Sequence, residues 1–385
     1  MSPRVYLDYN ATALLRPEVR AAMTEAFSVY GNPSSVHEEG RKARAAVERA
    51  RAQVAALAGC EPGEVIFTSG ASEANQTVIN AGWDFIAVSA MEHESVLSAA
   101  YKAVGLSSDR VNEIPALMDG QVACSEFELT RDSYARSGSE FSNPLVSVQL
   151  ANGEIGVVQP VDRIVEIAFE QGYRVHTDAV QAAGRIPLDF AELNVDFMSL
   201  SAHKIGGPKG SGALIVRRGC KMPSLMHGGG QEAGRRAGTE NVSGIVGFGA
   251  AAECALRDLE QMSELRSMRD RLEREASAMS NTVNVFSATP GRLPNTSAIA
   301  LSGSKAETLV ISLDLAGIAV SAGSACSSGK VSRSHVLQAV NAPPEVIDST
   351  IRVSMGWDTK DSDIDRFLDA WAGIVKQHDE RRDVA

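Results

Sequence analysis

The chain lacks most features of a membrane, secreted or nucleic-acid-binding protein. No apolar run reaches the roughly 18 residues that span a bilayer, and the first residues lack the apolar core of a secretion signal. Five scattered cysteines without a CxxC pair argue against a disulfide framework and against a zinc site. The net charge is −11 and the basic residues form no block. We therefore expect a cytoplasmic protein without a membrane or nucleic-acid partner.

Strand-like and helical stretches alternate along the first two thirds of the 385 residues. This alternation predicts an α/β fold with a mostly parallel sheet and helices on both faces. The composition changes near residue 244: a long helical stretch is predicted from 242 into 279, and a smaller α+β unit follows it. We expect a large domain over 15–255 and a small α+β domain built from 1–14 and 256–385. The predicted strands of the large domain are 64–68, 84–90, 144–150, 173–177, 196–201 and 213–216.

Chemically distinctive residues follow five of these predicted strands. Ligands of parallel α/β sheets bind at the carboxyl ends of the strands, so these residues are expected to meet at one edge. They offer a small-residue turn that opens a helix, an imidazole, two amides, a carboxylate and an amine. In chain order they are 69–75, His93, Asn152, Asp178 with Gln181, and 201–204, which ends in Lys204.

A phosphate-binding turn, a carboxylate and an amine are the groups that pyridoxal phosphate needs. The first amides of a helix are unpaired, and Ser72 adds a hydroxyl, so the turn can bind a phosphate. Asp178 would pair with the ring nitrogen, Gln181 would donate to the ring oxygen and His93 would lie over the ring. Lys204 could form a Schiff base. Each residue also has an ordinary structural interpretation, and only their joint occurrence at one edge favours a site.

Seven short segments carry a resemblance that covers the chain from about residue 5 to 375. They are 7–12 (LDYNAT), 31–37 (GNPSSVH), 68–75 (TSGASEAN), 201–204 (SAHK), 228–232 (GGGQE), 236–241 (RAGTEN) and 321–329 (SAGSACSSG). In this order they resemble the cysteine desulfurases, in the NifS/IscS branch of the class V pyridoxal-phosphate aminotransferase superfamily. The resemblance implies the pyridoxal-phosphate transferase fold of the aspartate-aminotransferase type.

The resemblance also assigns roles to individual residues of this chain. Lys204 would be the Schiff-base lysine, Cys326 the persulfide carrier, and His93 a further catalytic residue. Thr239 would reach the phosphate of the other subunit's cofactor, which implies a homodimer. Substrate would be bound by Arg352, whose planar fork suits a carboxylate, with Asn10 and Asn152. The implied cofactor-binding residues are Ala71, Ser72, His93, Asn152, Asp178, Gln181, Ser201, His203, Lys204 and Thr239.

The implied reaction converts L-cysteine to L-alanine and leaves a sulfur atom on Cys326. That sulfur would pass to a sulfur-acceptor protein or an iron–sulfur scaffold protein. No metal site is implied, apart from contact of Cys326 with an iron–sulfur cluster during transfer. A free thiol has a pKa of about 8.5, so some activation of Cys326 is expected.

Position 153 departs from the family pattern. Gly153 stands where the family usually has the second asparagine of Asn-Asn-Glu, so we expect weaker substrate positioning or altered specificity, and retention of the cofactor. A selenocysteine lyase or an aminotransferase on the same fold is an alternative, since neither needs Cys326. A weakened member that acts as a sulfur-transfer scaffold is a second alternative. A metal-dependent or Ser-His-Asp hydrolase is disfavoured, because ligand spacing and a G-x-S-x-G motif are lacking.

Overall fold

The computed structural model describes residues 4–103, 110–128, 141–224, 226–286, 291–323 and 333–384. Its strands are β1 (Val5–Tyr6), β2 (Val65–Thr68), β3 (Phe85–Ser89), β4 (Val111–Ile114), β5 (Pro144–Ser147), β6 (Arg174–Asp178), β7 (Phe197–Ser201), β8 (Gly212–Val216), β9 (Val283–Phe286), β10 (Thr296–Leu301), β11 (Ile318–Ala319), β12 (Ser321–Ala322) and β13 (Thr350–Ser354). Its helices are α1 (Pro17–Ala26), α2 (Glu38–Ala58), α3 (Ala71–Ile79), α4 (Glu94–Ala103), α5 (Val161–Gln171), α6 (Phe190–Leu193), α7 (Val242–Arg257), α8 (Met262–Ser277), α9 (Ala306–Leu315), α10 (His335–Ala339), α11 (Pro344–Ile347) and α12 (Asp361–Val384). Within these ranges no helix is both long enough and apolar enough to cross a bilayer.

A seven-stranded sheet with the order β2-β8-β7-β6-β5-β3-β4 organises the first part of the chain. The neighbours from β7 to β4 run parallel, whereas β8 is antiparallel to both β2 and β7. The prediction of a mostly parallel α/β sheet is confirmed. Because β5, β6 and β7 run in the same direction, the residues that follow them lie at the same edge.

Helices cover both faces of this sheet. In β3, Phe85 and Ala87 point into a core shared with α2, α5 and α7, and Ile86 and Val88 point into a second core shared with α3 and α4. Side chains alternate along a strand, so a continuous apolar run serves both cores. Each fully buried Val, Ile or Phe side chain contributes about 1.5–3 kcal/mol to folding.

A smaller antiparallel sheet with the order β12-β13-β10-β9 follows in the second half of the chain. Strand β1 runs parallel to β11, with Val5 opposite Ile318. The core beneath these strands includes the stacked rings of Phe367 and Trp371. The structure thus has a smaller sheet domain beside the large sheet. The limits 15–255 for the large domain stay a prediction.

The predicted continuous helix over 242–279 is wrong. Helix α7 ends at Arg257, a 3₁₀ turn covers Asp258–Gln261, and α8 begins at Met262. Asp258 is buried, and its carboxylate accepts a hydrogen bond from Arg16 Nη1 at 2.5 Å. A buried ion pair fixes both partners, since removing one leaves a buried charge without compensation. The ion pair with Arg16 therefore holds the chain at the point where the helix axis breaks.

Buried His176 predicts a loss of stability in mild acid. Its Nδ1 lies 2.8 Å from Ser147 Oγ and its Nε2 lies 3.0 Å from Ser199 Oγ. Burial lowers the pKa of His176 from 6.5 to about 4, against an opposing effect of the Asp178 charge. The unfolded chain therefore binds the proton first, so this contribution is fully present above pH 6.5 and is lost as the pH falls toward 4. At pH 5 the loss is about 2 kcal/mol.

Urea unfolding of the wild type and of His176→Gln at pH 7.5 and pH 5 measures this contribution. Glutamine does not titrate, so the variant should lose less free energy of unfolding between the two pH values than the wild type does. Equal losses in both proteins would contradict the assignment of this acid sensitivity to His176.

Candidate active site

The carboxyl ends of β2, β3, β5, β6 and β7 open onto one cavity of about 960 Å³. Most of the predicted site residues line it, although they are far apart in the sequence. Two do not fall among its lining residues: Thr239 is exposed elsewhere on this chain, and Cys326 lies in 324–332, outside the described residues. The lining residues that were predicted are Asn10, Ala71, Ser72, His93, Asn152, Asp178, Gln181, Ser201, His203, Lys204 and Arg352.

Asp178 ends β6 as a buried carboxylate held by uncharged donors. Its Oδ1 accepts from the Val180 amide at 3.0 Å, and its Oδ2 accepts from Asn75 Nδ2 at 2.8 Å. Asn75 also donates to Ser95 Oγ at 2.9 Å, and Ser95 Oγ lies 2.8 Å from Nδ1 of His93 at the exposed rim. A protonated ring nitrogen would supply the positive charge that a buried carboxylate requires. Asn75 was given no role from the sequence, because its link to Asp178 depends on the packing of α3 against β6.

Lys204 stands in a single 3₁₀ turn directly after β7. Its Nζ donates to the carbonyl oxygens of Asn10 at 2.5 Å and of Ala11 at 3.0 Å. These carbonyls belong to the segment that follows β1, so the smaller sheet domain helps to hold the amine in the cavity. Beside it, burial and the charges of Lys204, Lys209 and Arg185 lower the pKa of His203 to about 4. His203 is thus a neutral imidazole near pH 7, with its Nδ1 3.2 Å from Thr12 Oγ1.

Both polar atoms of the Asn10 side chain form hydrogen bonds within the protein. Its Nδ2 donates to the Gly153 carbonyl and to Thr296 Oγ1, both at 2.9 Å, and its Oδ1 accepts from Asn295 Nδ2 at 3.1 Å. The backbone carbonyl of Asn10, by contrast, faces Lys204. The predicted contact of the Asn10 amide with substrate stays a prediction.

Helix α3 begins at Ala71, and Ala71 and Ser72 of its first turn line the cavity together with Ser201 and His203. The approach of β8 to the turn before α3 requires a glycine at 212. A Cβ there would lie 2.6 Å from the Gly70 Cα, closer than side-chain carbons come to backbone. Unpaired helix amides with two hydroxyls suit a phosphate.

Glu92 is a second buried carboxyl at this edge, and the sequence pattern did not single it out. It accepts from the Gln149 amide through Oε1, while its buried Oε2 has no partner among the described residues. Burial and the negative charge of Asp178 raise the pKa of Glu92 well above its usual range. Burial beside Asp178 thus favours the uncharged form of Glu92.

The side chains of Asn152 and Arg352 already form hydrogen bonds with other parts of the protein. Asn152 Oδ1 accepts from the amides of Glu154 at 2.8 Å and Ile155 at 2.9 Å, so it caps its own turn. Arg352 donates to Asp8 Oδ1 at 2.9 Å and to the Gly153 carbonyl at 3.3 Å, and its Nε has no partner among the described residues. A substrate carboxylate at Arg352 would share the guanidinium with Asp8.

The donor set fits pyridoxal phosphate. A single cavity contains an amine, a buried carboxylate without a cationic partner among the described residues, and the amino end of a helix. These are the groups that hold the carbonyl carbon, the ring nitrogen and the phosphate of this cofactor.

Comparisons with known proteins agree with this fit. The family model described as Aminotransferase class-V matches residues 5–367. The chain is 39% identical to a cysteine desulfurase IscS of Dictyoglomus turgidum, over 98% of this chain and 96% of that protein. It is 40% identical to a cysteine desulfurase of Gluconacetobacter diazotrophicus, over 96% and 93%. The solved structure of a NifS-like protein from Rickettsia africae superposes with a TM-score of 0.87 at 32% identity, covering 97% of this chain and 99% of that one. The chain belongs to the pyridoxal-phosphate-dependent class V aminotransferase family, and within it to the cysteine desulfurases.

Proposed function

We propose that this enzyme converts L-cysteine into L-alanine and retains the sulfur as a persulfide on Cys326. In this step the carbon–sulfur bond of the substrate breaks and a sulfur–sulfur bond to Cys326 forms, so one thiol and one cysteine yield one persulfide and one alanine. The observation that carries the proposal is the placement of Lys204 and Asp178 in one cavity, in a chain whose relatives are cysteine desulfurases.

Each residue contributes a distinct task. Bound pyridoxal phosphate supplies an electron sink for the charge that develops at the substrate Cα. The Lys204 amine removes the proton at that carbon and returns a proton to the product. The Arg352 guanidinium binds the substrate carboxylate, and the Cys326 thiolate attacks the substrate sulfur. His93, which lines the cavity at its exposed rim, would lie over the cofactor ring.

We also propose a homodimer in which Thr239 of a second copy completes the phosphate site. On this chain Thr239 is exposed and does not line the cavity. Three large apolar side chains, Phe27, Tyr30 and Val36, are 70%, 83% and 88% exposed, and a contact between copies would cover such side chains. Light scattering should give twice the mass of one chain.

The recipient of the sulfur is a sulfur-acceptor protein or an iron–sulfur scaffold protein, which we place with this enzyme in the cytoplasm. The four described cysteines are all free thiols, as expected in a reducing compartment.

Turnover of L-cysteine tests the proposed function. With a dithiol as reductant, alanine and sulfide should form in equal amounts. Formation of a 2-oxo acid in place of alanine would favour an aminotransferase. The absence of any product from a fully loaded, yellow protein would favour the sulfur-transfer scaffold.

A further inference from the structure

Gln181 occupies the space that a side chain at position 153 would need. A Cβ built on Gly153 would lie 2.7 Å from Gln181 Nε2 and 3.0 Å from both Cδ and Cγ. Real Cβ atoms essentially never approach another atom as closely as 2.7 Å, so a larger residue at 153 must displace the flexible Gln181 amide. The glycine found where the family usually has asparagine therefore creates the position that Gln181 takes in this chain.

Arg185 binds the oxygen of the Gln181 side-chain amide. Its Nη1 donates to the Gln181 backbone carbonyl at 2.6 Å and also to Gln181 Oε1. A guanidinium has only donors, so the amide must present its oxygen to Arg185 and turn its NH₂ group away. That NH₂ group donates to the Asn10 carbonyl at 3.2 Å, and the same carbonyl accepts from Lys204 Nζ at 2.5 Å.

Arg185 is an unusual residue for a purely structural role. It is only 7% exposed, and no carboxylate among the described residues forms an ion pair with it. Burial and the charge of Arg352 lower the pKa of Arg185 to about 9. A buried cation without an anionic partner costs stability. Both hydrogen bonds of this guanidinium among the described residues go to Gln181, so the orientation of the Gln181 amide is what the buried cation fixes.

We propose that Arg185 is a positioning residue: it fixes the Gln181 amide with its NH₂ group toward Asn10 and Lys204, in the space that Gly153 leaves open. The proposal rests on the proposed function only in taking Lys204 as the cofactor-bearing amine. Loss of Arg185 frees the amide to rotate, which withdraws a donor from the surroundings of Lys204 and of the cofactor.

The apparent pKa of the yellow cofactor chromophore reports on this arrangement without requiring turnover. In Arg185→Met we expect this pKa to rise by about one pH unit, because the Gln181 amide no longer keeps its NH₂ group beside Lys204 and the cofactor. The other charged and titratable groups that line the cavity stay in place in this variant: Glu73, Glu92, His93, Glu94, Glu154, Asp178, His203, Lys209, Arg333, His335 and Arg352.

A double-mutant cycle with Gln181→Met separates positioning from bare charge. If Arg185 acts through Gln181, Arg185→Met should add little to the shift already produced by Gln181→Met. An undiminished shift in the Gln181→Met background would overturn the proposal, because Arg185 would then act through its charge alone. An unchanged chromophore pKa in Arg185→Met would overturn it equally.

Two further variants keep the test decisive if Arg185→Met folds poorly. Gly153→Asn leaves Arg185 intact but displaces Gln181, and it should raise the chromophore pKa in the same direction; no shift would count against the proposal. Arg217→Met is the matched control, because Arg217 also donates to backbone carbonyls, those of Phe190 and Val195, away from the cavity. The chromophore pKa of this control should match the wild type. Alanine formation is measured separately on each variant. A missing pKa shift with alanine still formed counts against the role of Arg185 alone, whereas a wild type that forms no alanine counts against the desulfurase reaction.

Discussion

Replacement of Lys204 by alanine is expected to lower cysteine-dependent alanine formation by about 10²–10⁴-fold or more. The loss of a positioned acid–base group alone accounts for a decrease of that size. Lys204 is also the group that anchors the cofactor, and its amine is held by the Asn10 and Ala11 carbonyls at the end of β7. The rate of alanine formation at saturating L-cysteine measures the effect.

Borohydride treatment gives an independent readout of the same variant. Reduction should attach the cofactor to the wild-type chain at Lys204 and leave the Lys204→Ala chain unlabelled. Lys42→Ala serves as control, because Lys42 lies on the exposed face of α2 and forms a surface ion pair with Glu38. A Lys204→Ala protein that still becomes labelled would show that another amine carries the cofactor.

Replacement of Cys326 by serine is expected to reduce alanine formation from L-cysteine to the background rate while preserving the yellow cofactor. A serine hydroxyl is not ionised near neutral pH and does not attack a sulfur atom, whereas a thiolate does. The cofactor contacts argued above, from Asp178 to Lys204, do not involve residue 326. Cysteine should therefore still change the absorption spectrum of the variant.

This variant also separates the alternatives on the same fold. A selenocysteine lyase or an aminotransferase would keep its activity in Cys326→Ser, since neither needs the thiol. Cys124→Ser is the matched control, because Cys124 packs against the main core and does not line the cavity. Full alanine formation by Cys326→Ser would contradict the desulfurase assignment.

The sheet and its helices were readable from the sequence because their signals are local. Apolar runs predicted β5 through β8 within a few residues. The break at Asp258 was not readable, since it depends on an ion pair with Arg16 at a separation of 242 residues. Strand β4 was missed because its pattern is half polar and lies in a stretch without clear periodicity.

The candidate site, too, was predictable from the sequence only in part. Asp178 and Lys204 follow strand ends, so topology alone predicts that they meet. The roles of Glu92 and Arg185 depend on the folded structure. Glu92 is buried beside Asp178, and Arg185 contacts a Gln181 side chain that fills the space beside Gly153. In the sequence, Glu92 and Arg185 are an isolated acid and an isolated base, and such residues are common on charged surfaces and in loops.

The most direct test of the account is a single turnover without reductant, followed by mass spectrometry of the peptides. With L-cysteine in excess, one alanine should form for each active site, and the peptide that contains Cys326 should gain the mass of one sulfur atom. Peptides that contain Cys60, Cys124, Cys220 or Cys254 should remain unchanged. Alanine formation with the added sulfur on another cysteine, or with no added sulfur on the chain, would contradict the role of Cys326 as the sulfur carrier.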